Sequence, residues 1–324
     1  MKKMVVFNVG GGLCSYIEVD GISVLVDVGK SSTFNPVTDF LLPYYTKTGK
    51  AQSEKDGNKF VMDQLIISHP HNDHISAIAD YSENFEAGYI TCPNDRNSAE
   101  YTYLNIDWDL FFPDGGINSN DNAKVLRDMY AERKPPLETV IKGTNGLDKQ
   151  YLYFLPPQMV SDTEELHSNG ETYANNISLA TMFTINGTHV LFPGDIMKEG
   201  MGYLLKNTNL AKGVQAGIDI LIAPHHGLRS AFSTELFQNM PNGRTKCLNI
   251  ISEKMNNIAE NREVDCRYAS EEYCSGINNL GTFQSLARQR KTSNGHICVD
   301  FRCEKEPEFF ITNNSDDLLE WFMY

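Results

Sequence analysis

The sequence is short of positive charge and of paired cysteines. Its 28 lysines and arginines are outnumbered by 42 aspartates and glutamates, which gives a formal net charge of −14. A protein that coats DNA by non-specific attraction to phosphates carries a basic surface, so this balance argues against that class. The seven cysteines are odd in number and include no Cys-x-x-Cys, which argues against a disulfide framework and a structural zinc knuckle.

Long apolar runs and nucleotide-binding loops are also missing. No run of 18 apolar residues appears, and the opening MKKMVVFNVGGG leads into a strand-like segment without a small-residue cleavage site. We therefore expect a cytoplasmic protein with no membrane partner. The glycines at 10–12 lack the third glycine and the helix of a dinucleotide fingerprint. Gly29-Lys30-Ser31 resembles the end of a Walker A loop, but Val24 stands where the earlier glycine is required, so both segments are predicted to be tight turns. Nor does a Gly-x-Ser-x-Gly sequence occur to indicate a serine hydrolase.

Histidine is scarce, yet five of the eight histidines lie in two short clusters. The first is Ser68-His-Pro-His-Asn-Asp-His74, which follows the apolar run 65–67. If that run is a buried strand, His69, His71 and Asp73 project to one side, and His74 opens a helix that returns to the same cleft. Imidazole and carboxylate at this density suit a divalent metal, and the number of ligands indicates two ions. The alternative is a polar loop in which Asp73 caps the helix.

Three polar segments of the second half lie at the ends of predicted strands. Asn175 to Ser178 precede a strand, Pro193-Gly194-Asp195 follow one, and Pro224-His225-His226-Gly227 follow another. Polar groups at strand ends converge on a cleft in layered α/β folds. Asp195 is therefore a candidate bridging carboxylate, and one of the paired histidines is a candidate ligand. Asp27, at the end of a strand near Gly29, is a candidate to support the ligands.

Two further segments have open interpretations. The long polar connection 30–63 contains an apolar patch at 40–45, and it is either a solvated loop or a flap that guides substrate. The aromatic segment 101–112 could stack nucleobases, but its spacing favours packing in the core as a strand. A helix is predicted from about residue 120 to Arg133, where Pro135-Pro136 follows.

Taken together, these motifs resemble the metallo-β-lactamase superfamily. The matching pieces are His69-x-His71-x-Asp73-His74, Gly194-Asp195 and Pro224-His-His-Gly227. More narrowly, Asn175-x-x-Ser178-Leu179 and the Phe-Pro-Gly-Asp run are similar to the soluble hydrolase domain of the competence protein ComEC and its stand-alone relatives. The resemblance spans about residues 4 to 301. It implies an α/β fold, the αββα metallo-β-lactamase sandwich, as a single domain over 1–324 with a long polar insertion near 30–63.

The same resemblance implies roles for individual residues. His69 and His71 would hold one ion, Asp73, His74 and one of the paired histidines a second, and Asp195 would bridge; we favour His225 as the ligand. Zn²⁺, as one or two ions per chain, is the implied cofactor, with Mn²⁺ as the alternative. Asp73, Asp195 and His226 would be catalytic. The residues implied to bind substrate are Asn175, Ser178, Lys30 and Arg229.

Several positions depart from the superfamily pattern. Asn175 or Asn176 stands where many members have a third histidine, so the first ion should be held more weakly, unless His167 completes its site. Asn8 replaces a usual acidic residue, and such a loss costs ~10–100-fold in metal affinity or activity. Leu228 and Ser76 replace a serine and a glycine. Because of these departures, the sequence identifies the substrate less closely than it identifies the fold.

The activity implied is that of a metal-dependent hydrolase. We expect a phosphodiesterase or nuclease that cleaves single-stranded nucleic acid or nucleotides by attack of a metal-bound hydroxide. The same site could instead hydrolyse a lactone, a thioester or a choline phosphoester. A third interpretation is a non-catalytic component that binds metal or nucleotide within a larger assembly. The sequence does not indicate a protein partner.

Overall fold

The computed structural model describes residues 1–93, 108–112, 115–133, 147–168, 170–241, 247–253, 273, 288–304 and 306–324. The strands are β1 Lys2–Val6, β2 Cys14–Val19, β3 Ile22–Val28, β4 Phe60–Ile66, β5 Phe85–Thr91, β6 Leu147–Tyr153, β7 Ala180–Ile185, β8 Thr188–Phe192, β9 Ile220–Ile222, β10 Leu248–Ile251, β11 Arg288–Lys291, β12 His296–Asp300 and β13 Glu308–Thr312. The α-helices are α1 Leu42–Thr48, α2 Asn72–Ile75, α3 Ile78–Asn84, α4 Trp108–Phe111, α5 Asp121–Arg133, α6 Pro157–Asp162, α7 Gly170–Asn176, α8 Lys198–Asn207, α9 Leu210–Ala216, α10 Thr234–Gln238 and α11 Ser315–Met323.

The strands form two mixed sheets. The first has the order β13-β12-β1-β2-β3-β4-β5, and the second has the order β11-β10-β9-β8-β7-β6. In the first sheet β3 runs parallel to β4, and in the second β8 runs parallel to β9. The carboxyl ends of parallel neighbours lie at the same edge of a sheet, which is where ligands bind in α/β folds.

The two sheets pack face to face through alternating strand residues. Val24 and Val26 of β3 lie in a buried cluster with Phe183 of β7 and Val190 of β8, whereas Leu25 belongs to the outer cluster. Alternate residues of a strand point to opposite faces, so β3 serves both layers. The outer cluster includes residues of the helices, among them Tyr81 of α3 and Leu204 of α8. The result is the predicted α/β metallo-β-lactamase fold, with two mixed sheets flanked by helices.

The predicted polar insertion near 30–63 contains folded core. Residues Val37–Leu41 form a π-helix that leads directly into α1. Phe40, Tyr44 and Tyr45 are at most 1% exposed, because this segment packs over the outer face of the first sheet. The apolar patch at 40–45 is therefore the core-facing side of the segment, and the interpretation as a solvated loop is wrong for that part.

Other predicted elements differ in detail. The aromatic segment was expected to continue as a strand, but its described end, Trp108–Phe111, is helical; residues 101–107 lie outside the described part. The single helix expected after the histidines is divided into α2 and α3. In the described residues, no helix combines the length and the hydrophobicity needed to cross a bilayer.

Candidate metal centre

The histidine loop follows β4 and is fixed by backbone contacts to both sheets. β4 ends at Ile66, and the Ser68 carbonyl accepts a hydrogen bond from Leu179 N of the second sheet at 2.8 Å. His71 is extended, with φ −66° and ψ 149°, and α2 begins immediately after it. This extended-to-helical transition directs His69, His71, Asp73 and His74 into the space between the sheet edges, as the sequence spacing predicts.

Asp27 supports this loop from the end of β3. It is fully buried and has a left-handed backbone with φ 58°, which is uncommon for a residue other than glycine. Its carboxylate accepts hydrogen bonds from Ser68 N at 2.7 Å and Ser68 Oγ at 2.8 Å, and it lies 2.8 Å from His74 Nδ1. Asp27 thus fixes the ring of His74 and leaves the Nε2 atom of His74 to face the cleft.

Two glycines allow the chain to pass close to the backbone of Asp73. A Cβ atom added at Gly12 would lie 2.4 Å from the Asp73 carbonyl oxygen, and one added at Gly29 would lie 2.2 Å from it. Leu13 N donates to the same oxygen at 3.3 Å. The predicted tight turns at these glycines therefore serve a close approach of backbones, and any larger residue would push the histidine loop away.

The second sheet contributes Asp195 after β8. Asp195 is 3% exposed, and its backbone N–H donates to Ser178 Oγ at 3.1 Å. Gly194 precedes it with φ 63°, and a Cβ at Gly194 would lie 2.8 Å from the Cβ of Ser178. The sequence Gly-Asp is required here because only glycine fits both the positive φ and the space.

The paired histidines follow β9 in a strained turn. His225 has φ 47° and ψ 51°, and His226 has φ 55° and ψ 22°. Left-handed conformation costs roughly 1–2 kcal/mol per residue with a side chain, and such strain is found at functional sites. His225 N donates to the Gly194 carbonyl at 3.2 Å, which joins this turn to the Asp195 loop.

Four side chains meet between the two sheets. His226 Nε2 lies 3.2 Å from Asp73 Oδ2 and 3.4 Å from Asp195 Oδ2, and His74 Nε2 lies 3.2 Å from the same Asp195 oxygen. One ligand atom from each of Asp73, His74, Asp195 and His226 falls within 4.8 Å of the others. We call these four residues the four-donor group.

His69 and His71 lie beside this group. His69 Nε2 is 2.9 Å from His71 Nδ1 and 3.9 Å from Asp195 Oδ2. Phe111 of α4 packs edge-on against His71, with 5.0 Å between ring centroids. The two histidines therefore lie together beside the four-donor group, and their role as ligands of a first ion stays a prediction.

The histidines of the site are of two kinds, because the pKa is lowered in two of them and raised in the other two. Burial lowers the pKa of His69, with a further lowering by the charge of His74, and burial also lowers the pKa of His71. Burial would lower the pKa of His226 too, but attraction to Asp195 and hydrogen bonds to Asp195 and Asp73 outweigh it and raise that pKa to about 9. The pKa of His74 is likewise raised, since attraction to Asp195 and Asp27 exceeds the effect of its burial.

The two carboxyls shift in the complementary direction. Burial would raise the pKa of Asp195, but attraction to His74 and His226 holds it well below its usual range. The pKa of Asp73 is lowered against the effect of burial by the same two histidines. Without metal, the cluster is thus an array of imidazolium and carboxylate groups, and metal binding must displace the protons of His74 and His226.

The donor set fits a divalent metal. Two imidazoles and two carboxylates are a ligand combination that suits borderline ions such as Zn²⁺, and His74 shows the arrangement of a ligating histidine whose other nitrogen is held by a carboxylate. Asp73, His74, Asp195 and His226 would hold this ion. We therefore assign a buried His/Asp metal site; its ion identity remains a prediction.

The structure brings His226, not the favoured His225, into the four-donor group. His225 Nε2 lies 3.9 Å from Asp195 Oδ2, beyond direct contact. The sequence could not separate the two because adjacent residues satisfy the same motif, and the left-handed turn that orients them is invisible in the spacing. His167 is not in the group; its Nδ1 donates to the carbonyls of Val160 and Thr163, at 3.0 and 2.7 Å.

The residues predicted to bind substrate have varied surroundings. Asn175 is fully buried, and its Oδ1 has no hydrogen-bond partner among the described residues. The Ser178 hydroxyl contacts the backbone of Asp195. Lys30 Nζ is 2.7 Å from Asp80 on the surface, and Arg229 lies on an exposed turn. The structure thus places Ser178 against Asp195 and buries Asn175, and the substrate contacts of all four residues stay predictions.

Ser68 is the functional residue that the sequence analysis missed. Its hydroxyl donates to Asp27 and lies 3.2 Å from the Nδ1 atoms of both His69 and His74. A small hydroxyl residue at the end of a strand, directly before the first histidine, is the signal that could have identified it. Ser68 links the supporting carboxylate to two metal-ligand candidates.

A family comparison agrees with this geometry. Residues 7–153 match the family model described as the metallo-β-lactamase superfamily, a range that includes the whole histidine loop. The fold is that of the metallo-β-lactamase superfamily. No curated protein sequence matches the chain significantly. The narrower resemblance to ComEC has no support in these comparisons and stays a prediction.

Several solved structures are similar to this chain at low identity. A metallo hydrolase from Ignicoccus hospitalis is 13% identical, with 96% of this chain and 100% of that chain covered and a TM-score of 0.39. The metallo-β-lactamase fold protein YhfI from Bacillus subtilis is 13% identical, with 90% and 96% covered and a TM-score of 0.34. Yeast PDE1 is 13% identical, with 90% and 97% covered and a TM-score of 0.42.

Proposed function

We propose that this protein is a metal-dependent phosphodiesterase that acts on nucleotides or single-stranded nucleic acid. The observation that carries the proposal is the four-donor group, in which two carboxylates and two imidazoles from both sheets meet within 4.8 Å. A divalent ion held there would supply charge neutralisation and an activated water. Such chemistry suits a phosphodiester, whose cleavage requires a positioned nucleophile and stabilised oxygens.

The protein's own groups favour direct hydrolysis over a covalent intermediate. The hydroxyls of Ser68 and Ser178 contact residues of the group, and both are engaged: Ser68 Oγ donates to Asp27, and Ser178 Oγ accepts from Asp195 N. Asp195 is buried and fixed at its backbone, so it can orient a water molecule without moving. Ser68 Oγ also lies 3.2 Å from the Nδ1 atoms of His69 and His74, but it is 2% exposed and donates its proton to Asp27, so it is not placed to attack a substrate.

The acidic surface restricts how substrate is recognised. At a net charge of −14, the protein as a whole repels polyanions, so attraction must be confined to the cleft. A short or single-stranded substrate needs few phosphate contacts, and this supports nucleotides or single strands over duplex DNA as the substrate.

A substrate panel tests this proposal. Purified protein, loaded with Zn²⁺ or Mn²⁺ at about one to two ions per chain, is assayed on bis-p-nitrophenyl phosphate, cyclic nucleotides, single-stranded and duplex DNA, RNA, a lactone and a thioester. We expect phosphodiester cleavage that chelator abolishes and that Asp195→Asn reduces by at least ~10³-fold. Cleavage of the lactone or thioester alone would replace the substrate class, and metal binding without any turnover would favour the non-catalytic interpretation.

A further inference from the structure

The strained pair His225-His226 sends two imidazoles toward one carboxylate. The Nε2 atoms of His226 and His225 lie 3.4 and 3.9 Å from the same oxygen of Asp195, and the two ring centroids are 6.1 Å apart. Two consecutive non-glycine residues in the left-handed region are uncommon, and such conformations cluster at functional sites. Both side chains are therefore held at the cleft, although His226 alone of the two belongs to the four-donor group.

His225 lacks the support that a metal-ligating histidine usually has. Its Nδ1 atom is buried without a hydrogen-bond partner in the described part of the chain. His74, by contrast, has its Nδ1 atom 2.8 Å from Asp27. A ligating histidine almost always donates its second ring nitrogen to a carboxylate, carbonyl or water, which fixes the ring for the metal. His225 is placed beside the metal site without being fixed as one of its ligands.

His225 is also nearer to solvent than His226 and Asp195, beside a group that opens to solvent at Asp73, whose side chain is 44% exposed. The side chain of His225 is 12% exposed, compared with 8% for His226 and 4% for Asp195. Its backbone is nevertheless fixed, because its N–H donates to Gly194 and its carbonyl accepts from Leu228 N at 3.0 Å. A side chain at the opening of the group, on a fixed turn, is positioned to meet whatever enters the cleft.

We propose that His225 contacts the substrate, with its imidazole N–H donating a hydrogen bond to a non-bridging phosphoryl oxygen beside Asp195. This assignment rests on the proposed function, since it identifies the group that would recognise the phosphodiester. It reverses the roles expected from the sequence: His226 would be the metal ligand, and His225 would contact the substrate.

The test compares His225→Asn with His226→Asn, with His189→Asn as the control. Asparagine tolerates positive φ, so the turn can persist in both variants. His189 is the second residue of β8, near the end of that strand opposite Asp195. Zinc content is measured by elemental analysis after dialysis, binding of inorganic phosphate to the zinc-loaded protein by calorimetry, and turnover on bis-p-nitrophenyl phosphate.

We expect His225→Asn to keep its zinc, to bind phosphate ~10-fold more weakly and to turn over ~10²–10⁴-fold more slowly. His226→Asn should lose zinc, and His189→Asn should resemble the wild type. Loss of zinc in His225→Asn, or unchanged phosphate affinity and turnover, would overturn the assignment. If the wild type cleaves no phosphodiester, the proposed function fails, while retained zinc with weakened phosphate binding would still support the contact by His225.

Discussion

Among single residues, Asp27 is important to the proposed metal site because it fixes the ring of His74. Asp27→Asn keeps the size of the side chain and its tolerance of the left-handed backbone but removes the charge. Because a carboxylate behind a ligating histidine orients the ring and raises its basicity, we expect zinc affinity to fall ~10–100-fold. Calorimetric titration measures it. Asp20→Asn, at another left-handed aspartate with φ 49°, is the control, and equal affinities in the two variants would contradict the role.

The raised pKa of His226 gives a pH dependence for the metal-free protein. A histidine with a folded pKa of about 9 and an unfolded pKa of ~6.5 stabilises the fold fully below ~6.5, and that contribution is lost as pH rises through 9. Urea unfolding with chelator should therefore show lower stability at pH 9.5 than at pH 6.5. The loss should be smaller in His226→Asn. An equal loss in both proteins would mean that other groups cause it.

For single residues, the sequence indicates where a side chain points when the spacing defines a direction, and the ligand roles themselves stay predictions. His69, His71 and Asp73 follow a strand at period two, so their convergence could be anticipated, and Asp195 could be placed because it follows a strand directly. The choice between His225 and His226 could not be made. It depends on two φ angles near 50°, which no pattern of residue types specifies.

At the scale of elements, α4 positions the histidine loop. Phe111, 3% exposed, packs against the ring of His71, so its removal should loosen one of the two histidines predicted to hold a first ion. We expect Phe111→Leu to weaken binding of a second zinc ion while the first is retained, as measured by elemental analysis at increasing chelator. Phe237→Leu, at an equally buried residue of α10, should leave both ions unchanged. Retention of both ions in Phe111→Leu would show that α4 does not support metal binding.

The buried side chain of Glu18 holds α1 and the residues just after it against β2. Glu18 Oε2 accepts hydrogen bonds from Tyr16 Oη at 2.7 Å and Tyr44 Oη at 3.0 Å, and Glu18 pairs with Lys50 at 2.5 Å. Glu18→Ala leaves these groups unsatisfied, so we expect the free energy of unfolding to fall by about 3 kcal/mol. Urea unfolding measures this. The exposed Glu54→Ala should change stability by less than ~0.5 kcal/mol, and a similarly small change in Glu18→Ala would contradict the network.

This network explains why the sequence was misleading in the same region. The lysines and glycines of residues 30–63 have the composition of a loop, and the apolar patch is too short to indicate a buried helix by periodicity. The residues that bury it include Tyr16 of β2 and Phe322 of α11, and a contact between distant segments is not encoded in a local pattern. The strand before the histidine loop, by contrast, was expected from the apolar run 65–67, because a β-branched run with a polar end carries its own signal.

At the scale of the whole molecule, the acidic charge predicts weak binding to duplex DNA. Without metal, a protein of net charge −14 should bind labelled duplex with a Kd above ~10⁻⁴ M in ~50 mM salt, weaker than typical non-specific binders. Fluorescence anisotropy measures this directly. Micromolar affinity for duplex in the presence of chelator would show that a basic surface exists outside the cleft.

The central claim is that both sheets contribute to one metal site through Asp73, His74, Asp195 and His226. The most direct measurement is a calorimetric titration of Zn²⁺ into chelator-treated wild type and Asp195→Asn, in two buffers of different ionisation enthalpy. We predict a tight first ion in the wild type, with release of protons from His74 and His226, and at least ~100-fold weaker binding in Asp195→Asn. Equal zinc affinity in the two proteins, or zinc binding without proton release, would contradict a single metal site formed by these four residues.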